Sequence, residues 1–409
     1  MGMQGAPGGD AIAPGSAAIP PPPLPAREGG RVRRFFGCGC LGCGGLFFLF
    51  GMGLLLVSAI PNPVALTVAA IAAVIPVPVY LFAILQLDRF EREPWQVLTV
   101  AFLWGALVAT FISAILNSLI GAIISSAVGE GLGELLTASA VAPVVEETAK
   151  GVAILLLLWI VRHEFDNVLD GIVYGSLIGL GFAMTENILY YGRQYQEEGV
   201  VGLGILFYLR SLLGGFGHAL YTGTTGAAVG FARETTNWFL KVILPLLGYI
   251  LAIFQHAAWN FLAGALIPAL LPEGLNPFVL LFVVMPLITA ILTAPGLLSL
   301  LGVALLAWRR ESRVIQTFLA DEVTAGVLTA TEYSILPSIR ARFWNEVRAL
   351  RRSGIGAFVA TRDFHLAATE LAFRKWHVSR GERPKRTQRV TPEDLYRQQL
   401  AILRGRMSR

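Results

Sequence analysis

The chain reads as an all-α polytopic membrane protein of about eight transmembrane helices followed by a helical cytosolic C-terminal tail. Composition is the first observation: 55% of the 409 residues are hydrophobic and only 14% charged, at a mean hydropathy of +0.64, against about 25% charged in soluble domains. The second is that the apolar residues fall into runs near 20 residues long, the length a helix needs to cross a hydrocarbon core of about 30 Å. The third is the alternation of basic and non-basic connections between those runs, the pattern of a chain threaded back and forth across a bilayer.

The first 34 residues are rich in Gly, Ala and Pro, with the run Pro20 to Pro23, and are expected to be disordered. They lack the apolar core of a signal peptide, so the first span, near 41–60, reads as a retained anchor. Cys38, Cys40 and Cys43 are the only cysteines and stand at its cytosolic edge. Three thiols there could hold a metal with a fourth ligand or be acylated, but unmodified small residues at a membrane boundary are the favoured reading, and no structural disulfide is implied. Further spans are expected near 63–87, 97–127, 135–161, 168–191, 204–232, 242–270 and 277–307, which makes 35–308 the transmembrane core. Several exceed 25 residues, so tilt or kinks at Pro143, Pro245 and Pro286 are expected.

Arg27, Arg31, Arg33 and Arg34 precede the first span, Arg89 and Arg92 follow the second, Arg162 the fourth, and Arg233 and Lys241 separate the sixth from the seventh. The alternate loops around Gly129 and Pro272 carry no Arg or Lys. Both termini are therefore expected in the cytoplasm of a cell whose membrane the chain crosses. From residue 309 to the end there are twenty Arg or Lys against ten Asp or Glu, a net +10 that leaves the remainder at −5 within an overall +5. Runs such as Ile339 to Leu350 and Phe364 to Trp376 repeat apolar residues at helical spacing, so 309–409 is read as a basic, mostly helical cytosolic tail. Such a surface satisfies the charge rule and touches anionic lipid. No nucleic-acid partner is expected, because no recognised binding module accompanies the charge.

Function must come from the ionisable residues inside the spans. An acidic or basic side chain at bilayer depth costs about 2.5–3.5 kcal/mol on the translocon scale, so several on separate helices should face one another or water. They occur as Glu146-Glu147-x-x-Lys150, Phe182-x-x-x-Glu186, His218 and His256-x-x-x-Asn260. Glu146 and Glu147 lie about 11 residues into the fourth span, Glu186 about 18 into the fifth, and His218 and His256 each about 14 into theirs. At 1.5 Å per residue most reach one central level, with Glu186 nearer the outer side. Glu146 with Lys150, Phe182 with Glu186, and His256 with Asn260 are i, i+4 pairs, each on one helix face.

Plainer roles stand beside these. Lys150 most simply neutralises Glu146; Phe182 is a packing residue; His218 can be a core histidine bonded to a hydroxyl such as Thr222. Gly171, Gly175 and Gly179 form a small-residue row of the kind that lets two helices approach closely. His163-Glu164 lacks the second histidine of a zincin motif and lies at a membrane edge.

The segments EETAK, FAMTEN and HAAWN, with Leu87-Asp-Arg-Phe-Glu-Arg-Glu-Pro94 ahead of an apolar run, resemble the PrsW intramembrane proteases, distant relatives of the CAAX prenyl endopeptidases. The resemblance covers about residues 75–310. It implies a helical membrane protease core and an endopeptidase acting on membrane-anchored proteins, for example an anti-sigma factor in regulated proteolysis. Carried over residue by residue, Glu146 and Glu147 match the family's paired glutamates, Lys150 its lysine, Glu186 the acidic residue of the second motif, and His218 and His256 its helix-borne histidines. In the CAAX relatives the second motif carries His where this chain has Glu186.

Hydrolysis in a bilayer needs water, a base and donors for the oxyanion. A carboxyl group beside a second one in a low-dielectric site suits general acid and base work, and Glu146 is the candidate base. His256 and Asn260 could donate to the oxyanion, at about 2.7–4 kcal/mol per donor. A metal version places zinc on His218, His256 and Glu186; the sequence leaves both open, with no cofactor or zinc as the two cases. The competing functional class is a proton-coupled transporter or channel using the buried glutamates, against which no internal repeat is visible. A third reading is a catalytically silent membrane scaffold carrying a cytosolic tail.

Overall fold

The computed structural model describes residues 39–91, 93–162, 165–270, 275–381 and 391–407. The expected disordered segment 1–34, Cys38 and the His163-Glu164 pair lie outside them, as do the side chains of Cys40 and Cys43. The described residues are helical, with no strand among them. In chain order the helices are α1 Gly39–Ala59, α2 Pro63–Leu85, α3 Trp95–Val128, α4 Ala142–Ile160, α5 Val168–Phe207, α6 Gly217–Glu234, α7 Trp238–Ala258, α8 Met285–Thr324, α9 Ala330–Ile335, α10 Ile339–Ser379 and α11 Pro392–Met407.

Five helical stretches among the described residues are long and apolar enough to cross a membrane: Pro63–Leu85, Trp95–Val128, Val168–Glu234, Trp238–Leu266 and Pro277–Thr324. Two of the eight expected spans share the third of these, divided at Gly199, where φ is +67°, and at the turn before α6. The expected fourth span is α4, whose apolar length is interrupted by Glu146, Glu147 and Lys150. The expected first span is α1, of which Phe48–Ala59 forms a shorter apolar helix among the residues whose side chains are described. Large apolar side chains such as Phe82, Ile123, Phe254 and Leu306 point outward from these helices, a surface that lipid rather than water solvates. The protein is a multi-pass membrane protein.

At the centre stands α5, buried at every residue from Val168 to Phe182. Its glycine row explains how. A Cβ on Gly171, Gly175 or Gly179 would run into the backbone carbonyls of Gly226, Thr222 and His218 on α6. On the opposite side Gly181 meets Phe102, and Gly105 of α3 meets Ile178. Without side chains at these points the three helix backbones approach closely, which is how membrane helices gain packing energy when no hydrophobic drive separates them from lipid.

Prolines are expected to kink their spans; two of the three instead coincide with a change of helix register. Pro143 and Pro286 sit in the first turns of α4 and α8, each just after a π-helical stretch, Thr137–Val141 and Leu280–Val284. A proline has no N–H to give, and wider π turns are one way a helix absorbs the missing bond. Pro245 lies inside α7 without ending it.

The helix α8 runs without interruption through residue 309 and out to Thr324, so the tail begins as a rigid continuation of the last span. Ile315 and Leu319 of α8 then pack with Leu328, Leu336, Phe364, Leu371, Tyr396 and Leu400 around Phe90 from the connection between α2 and α3. Trp308 donates to the Leu87 carbonyl at 2.6 Å, pinning that same connection.

Candidate active site

Four helices deliver the polar groups. The EExxK motif lies on α4, Phe182, Glu186 and Asn187 on α5, His218 and Thr222 on α6, and His256 near the end of α7. Glu146, Glu147, Lys150 and His256 are each at most 4% exposed. Glu147 is the most heavily engaged: Lys150 Nζ and His256 Nδ1 donate to its Oε1 at 2.8 and 3.2 Å, and Thr222 donates to its Oε2 at 3.0 Å. Lys150 therefore pairs first with Glu147, and only at 3.6 Å with Glu146, the partner expected from spacing.

Glu146 is held loosely by comparison. Its Oε1 accepts from Asn117 of α3 at 3.3 Å. Its Oε2 faces His256 Nε2 at 3.8 Å and has no hydrogen-bond partner among the described residues. Because Glu147 holds the Nδ1 side of the ring, the Nε2 side of His256 is the one presented to Glu146, and Tyr221 stacks on that ring at 5.1 Å between centroids. The His218 ring stands 5.0 Å from it, nearly perpendicular.

His218 bridges two ionic pairs. Its Nδ1 lies 2.9 Å from Lys150 Nζ and its Nε2 lies 3.0 Å from Glu186 Oε2. Glu186 is in turn ion-paired with Arg210, whose Nε donates to Asn187 Oδ1 at 2.7 Å. Phe182 does more than fill space: Lys150 Nζ sits 3.8 Å above its ring centroid, a cation–π contact that stabilises a desolvated ammonium. Three carboxylates against Lys150 and Arg210 leave one excess negative charge when the histidines are neutral. A proton or a bound cation offsets it.

Asn260 makes its hydrogen bond outside this group. The chain leaves α-helical register at the π-helical stretch Trp259–Leu266, and Asn260 donates to the Ala138 carbonyl at 2.9 Å. Sequence reading missed Arg210, Asn187 and Asn117. Arg210 was detectable as an arginine inside the apolar run 204–232, and Asn187 directly follows Glu186; nothing in the sequence marks Asn117.

The candidate ligand atoms of Glu146, His218 and His256 all lie within 4.8 Å of one another. Two imidazoles and a carboxylate are a donor set catalytic zinc uses, and the Glu146 oxygen that lacks a partner is the kind of orphaned buried atom a cation would satisfy. The donor set suits a zinc ion, with Glu146 in the place the sequence reading gave to Glu186, and His218 would release Lys150 or Glu186 to ligate it.

A family model described as PrsW family intramembrane metalloprotease matches residues 93–291. A Protease PrsW of Clostridioides difficile is 31% identical over 192 residues, 46% of this chain and 76% of that protein. One from Oceanobacillus iheyensis is 36% identical over 102 residues, 25% of this chain and 42% of that protein. One from Bacillus subtilis is 27% identical over 183 residues, 44% and 75% respectively. No solved structure matches the chain. With these matches, the helices that cross the bilayer and the polar centre buried among them are those of an intramembrane protease. The chain belongs to the PrsW protease family.

Proposed function

We propose that this protease hydrolyses peptide bonds of membrane-anchored proteins at the centre formed by Glu146, Glu147, Lys150, Glu186, His218 and His256, with Glu146 as the group that handles the attacking water. The observation that carries this is the contrast between two adjacent carboxylates. Glu147 has both oxygens occupied by Lys150, His256 and Thr222, whereas Glu146 keeps one buried oxygen without a partner, 3.8 Å from the His256 Nε2. Three accepted hydrogen bonds take three of the about four lone-pair sites of the Glu147 carboxylate, so Glu146, with one whole oxygen unpartnered, is the better placed of the two to take a proton from water.

The other residues then take roles from their contacts. Glu147 fixes the His256 ring and holds Lys150. His256 presents Nε2 beside Glu146, where an N–H there would donate to the oxyanion as the carbonyl is attacked. The Arg210–Glu186–His218 chain orients the second imidazole, and Lys150 with Phe182 supplies a fixed positive charge in a water-poor site. Asn260 reaches an oxyanion only through its second N–H or by giving up Ala138. A metal ion, if this protein uses one, would be held by Glu146, His218 and His256 and would add Lewis-acid activation of water and carbonyl. A cell-membrane location with both termini in the cytoplasm follows from the basic connections, and a single-span regulatory protein of the anti-sigma class is a substrate such an enzyme would cut.

The test is purified protein in detergent with a panel of labelled single-span substrates. Glu146→Gln should lower kcat by about 10²–10⁴-fold with unchanged insertion and monodispersity. Wild-type cleavage by that variant would falsify the assignment of Glu146.

A further inference from the structure

A second group of carboxylates lies at the opposite end of α5, where the α2–α3 connection, the start of α5 and the extension of α8 meet. Candidate ligand oxygens of Asp88, Glu93 and Asp170 lie within 4.8 Å of one another. Asp170 is fully buried. Its Oδ2 accepts from the Asp166 and Asn167 amides at 2.9 and 3.1 Å, which leaves Oδ1 buried with no hydrogen-bond partner among the described residues. Its strongest charge interactions are with Glu93, Asp166, Asp88 and Glu91, all of its own sign.

Glu311 supplies a second, separate observation. It projects from α8, is 6% exposed, and its Oε2 likewise lacks a hydrogen-bond partner among the described residues. The acids it faces are Asp88, Glu91 and Asp166. Arg310 beside it is paired with Glu234, and the His377 ring lies 3.3 Å from Asp166. Asp88, Glu91, Glu93 and Asp166 have further interactions of their own, so the unmet demand is that of Asp170 and Glu311. Asp88, Glu91 and Glu93 also line a cavity of about 820 Å³, together with Arg89 and with Arg342, Glu346 and Arg362 of α10.

Buried like charges with orphaned oxygens are costly unless a counter-charge joins them. The donors are oxygen alone, with neither sulfur nor imidazole in the set, which selects a hard cation over zinc. We propose that Asp88, Glu93 and Asp170, with Glu311 behind them, bind a divalent cation of the magnesium or calcium type. The ion fastens the α2–α3 connection and the α8 extension to the start of α5. This site is remote from the proteolytic centre, since Asp170 and Glu186 are separated by about 24 Å along the helix at 1.5 Å per residue. Nothing in it depends on how that centre works.

The experiment uses the full chain in detergent, stripped with chelator and titrated separately with calcium and magnesium chloride. Thermal unfolding and equilibrium dialysis of radioactive calcium are the readouts. Wild type should bind one calcium per chain and melt about 3 °C higher when saturated. Glu311→Gln and Asp88→Asn should each weaken binding at least tenfold, and the chelated variants should melt above chelated wild type, because each removes a repelling charge. Asp88 is a half-buried loop residue, so its variant carries the test if Glu311→Gln fails to fold. His256→Ala should retain the full response. No binding and no shift in wild type at about 10 mM of either ion, well above the weakest calcium sites, overturns the proposal. So does calcium binding that survives in both carboxylate variants and disappears in His256→Ala.

Discussion

Adjacent residues on a helix point about 100° apart, and that angle separates the fates of Glu146 and Glu147. Glu147 turns toward α6 and α7, where Thr222 and His256 wait; Glu146 turns toward Asn117 of α3. The two glutamine variants should therefore fail differently. Glu146→Gln should lose turnover and keep its melting temperature. Glu147→Gln should lose turnover and also stability, by about 3 kcal/mol, because Lys150 is left buried beside a weaker acceptor; denaturant titration in detergent measures it, and equal stabilities would count against the proposed division. Arg210 invites a related comparison. Removing its charge in Arg210→Met strands Glu186, and the partly exposed pair should cost about 2 kcal/mol, while Arg210→Lys should recover part of the activity; a methionine variant as active as wild type would remove Arg210 from the site. At this scale the sequence singled out polar residues on four helices and gave little of whom they touch. The EExxK and FxxxEN motifs announce themselves as charges in apolar runs, but the pairing of Lys150 with Glu147 and of Glu186 with Arg210 is decided by side-chain geometry across helices.

Helices are brought to that geometry by glycine. The row Gly171, Gly175, Gly179 was readable as a packing face, and its partners on α6 are the carbonyls of Gly226, Thr222 and His218. Two of these three belong to the site or the residue holding it. Gly179→Ala should push α6 away at His218, lowering activity about tenfold or more and costing about 1–3 kcal/mol by overpacking, whereas Gly204→Ala, where an added Cβ meets nothing within 4 Å, should be neutral. Similar losses at both positions, read by cleavage assay and melting, would remove the close-packing argument. Apolar length and composition made the spans legible. The π-helical stretches did not announce themselves, because they arise where a proline or a packing demand shifts hydrogen-bond register without changing the apolar pattern. Asn260 illustrates the consequence: its i, i+4 relation to His256 assumes an α-helix, and the chain has left that register by Trp259.

For the whole molecule, the topology proposed from the basic connections puts the tail and both ends on one side, and the continuous α8 makes the tail an extension of the membrane core. In a background with Cys38, Cys40 and Cys43 replaced by serine, Ser353→Cys should react with an impermeant maleimide only in inverted vesicles, and Gly131→Cys only in right-side-out ones; the reverse pattern would invert the topology. The central claim is that this chain cuts peptide bonds within the membrane through Glu146. Mass spectrometry of single-span substrates incubated with wild-type and Glu146→Gln protein in proteoliposomes tests it most directly. The account predicts new termini inside or at the edge of the spanning segment with wild type and none with the variant. The same fragments at the same rate from both proteins would contradict it.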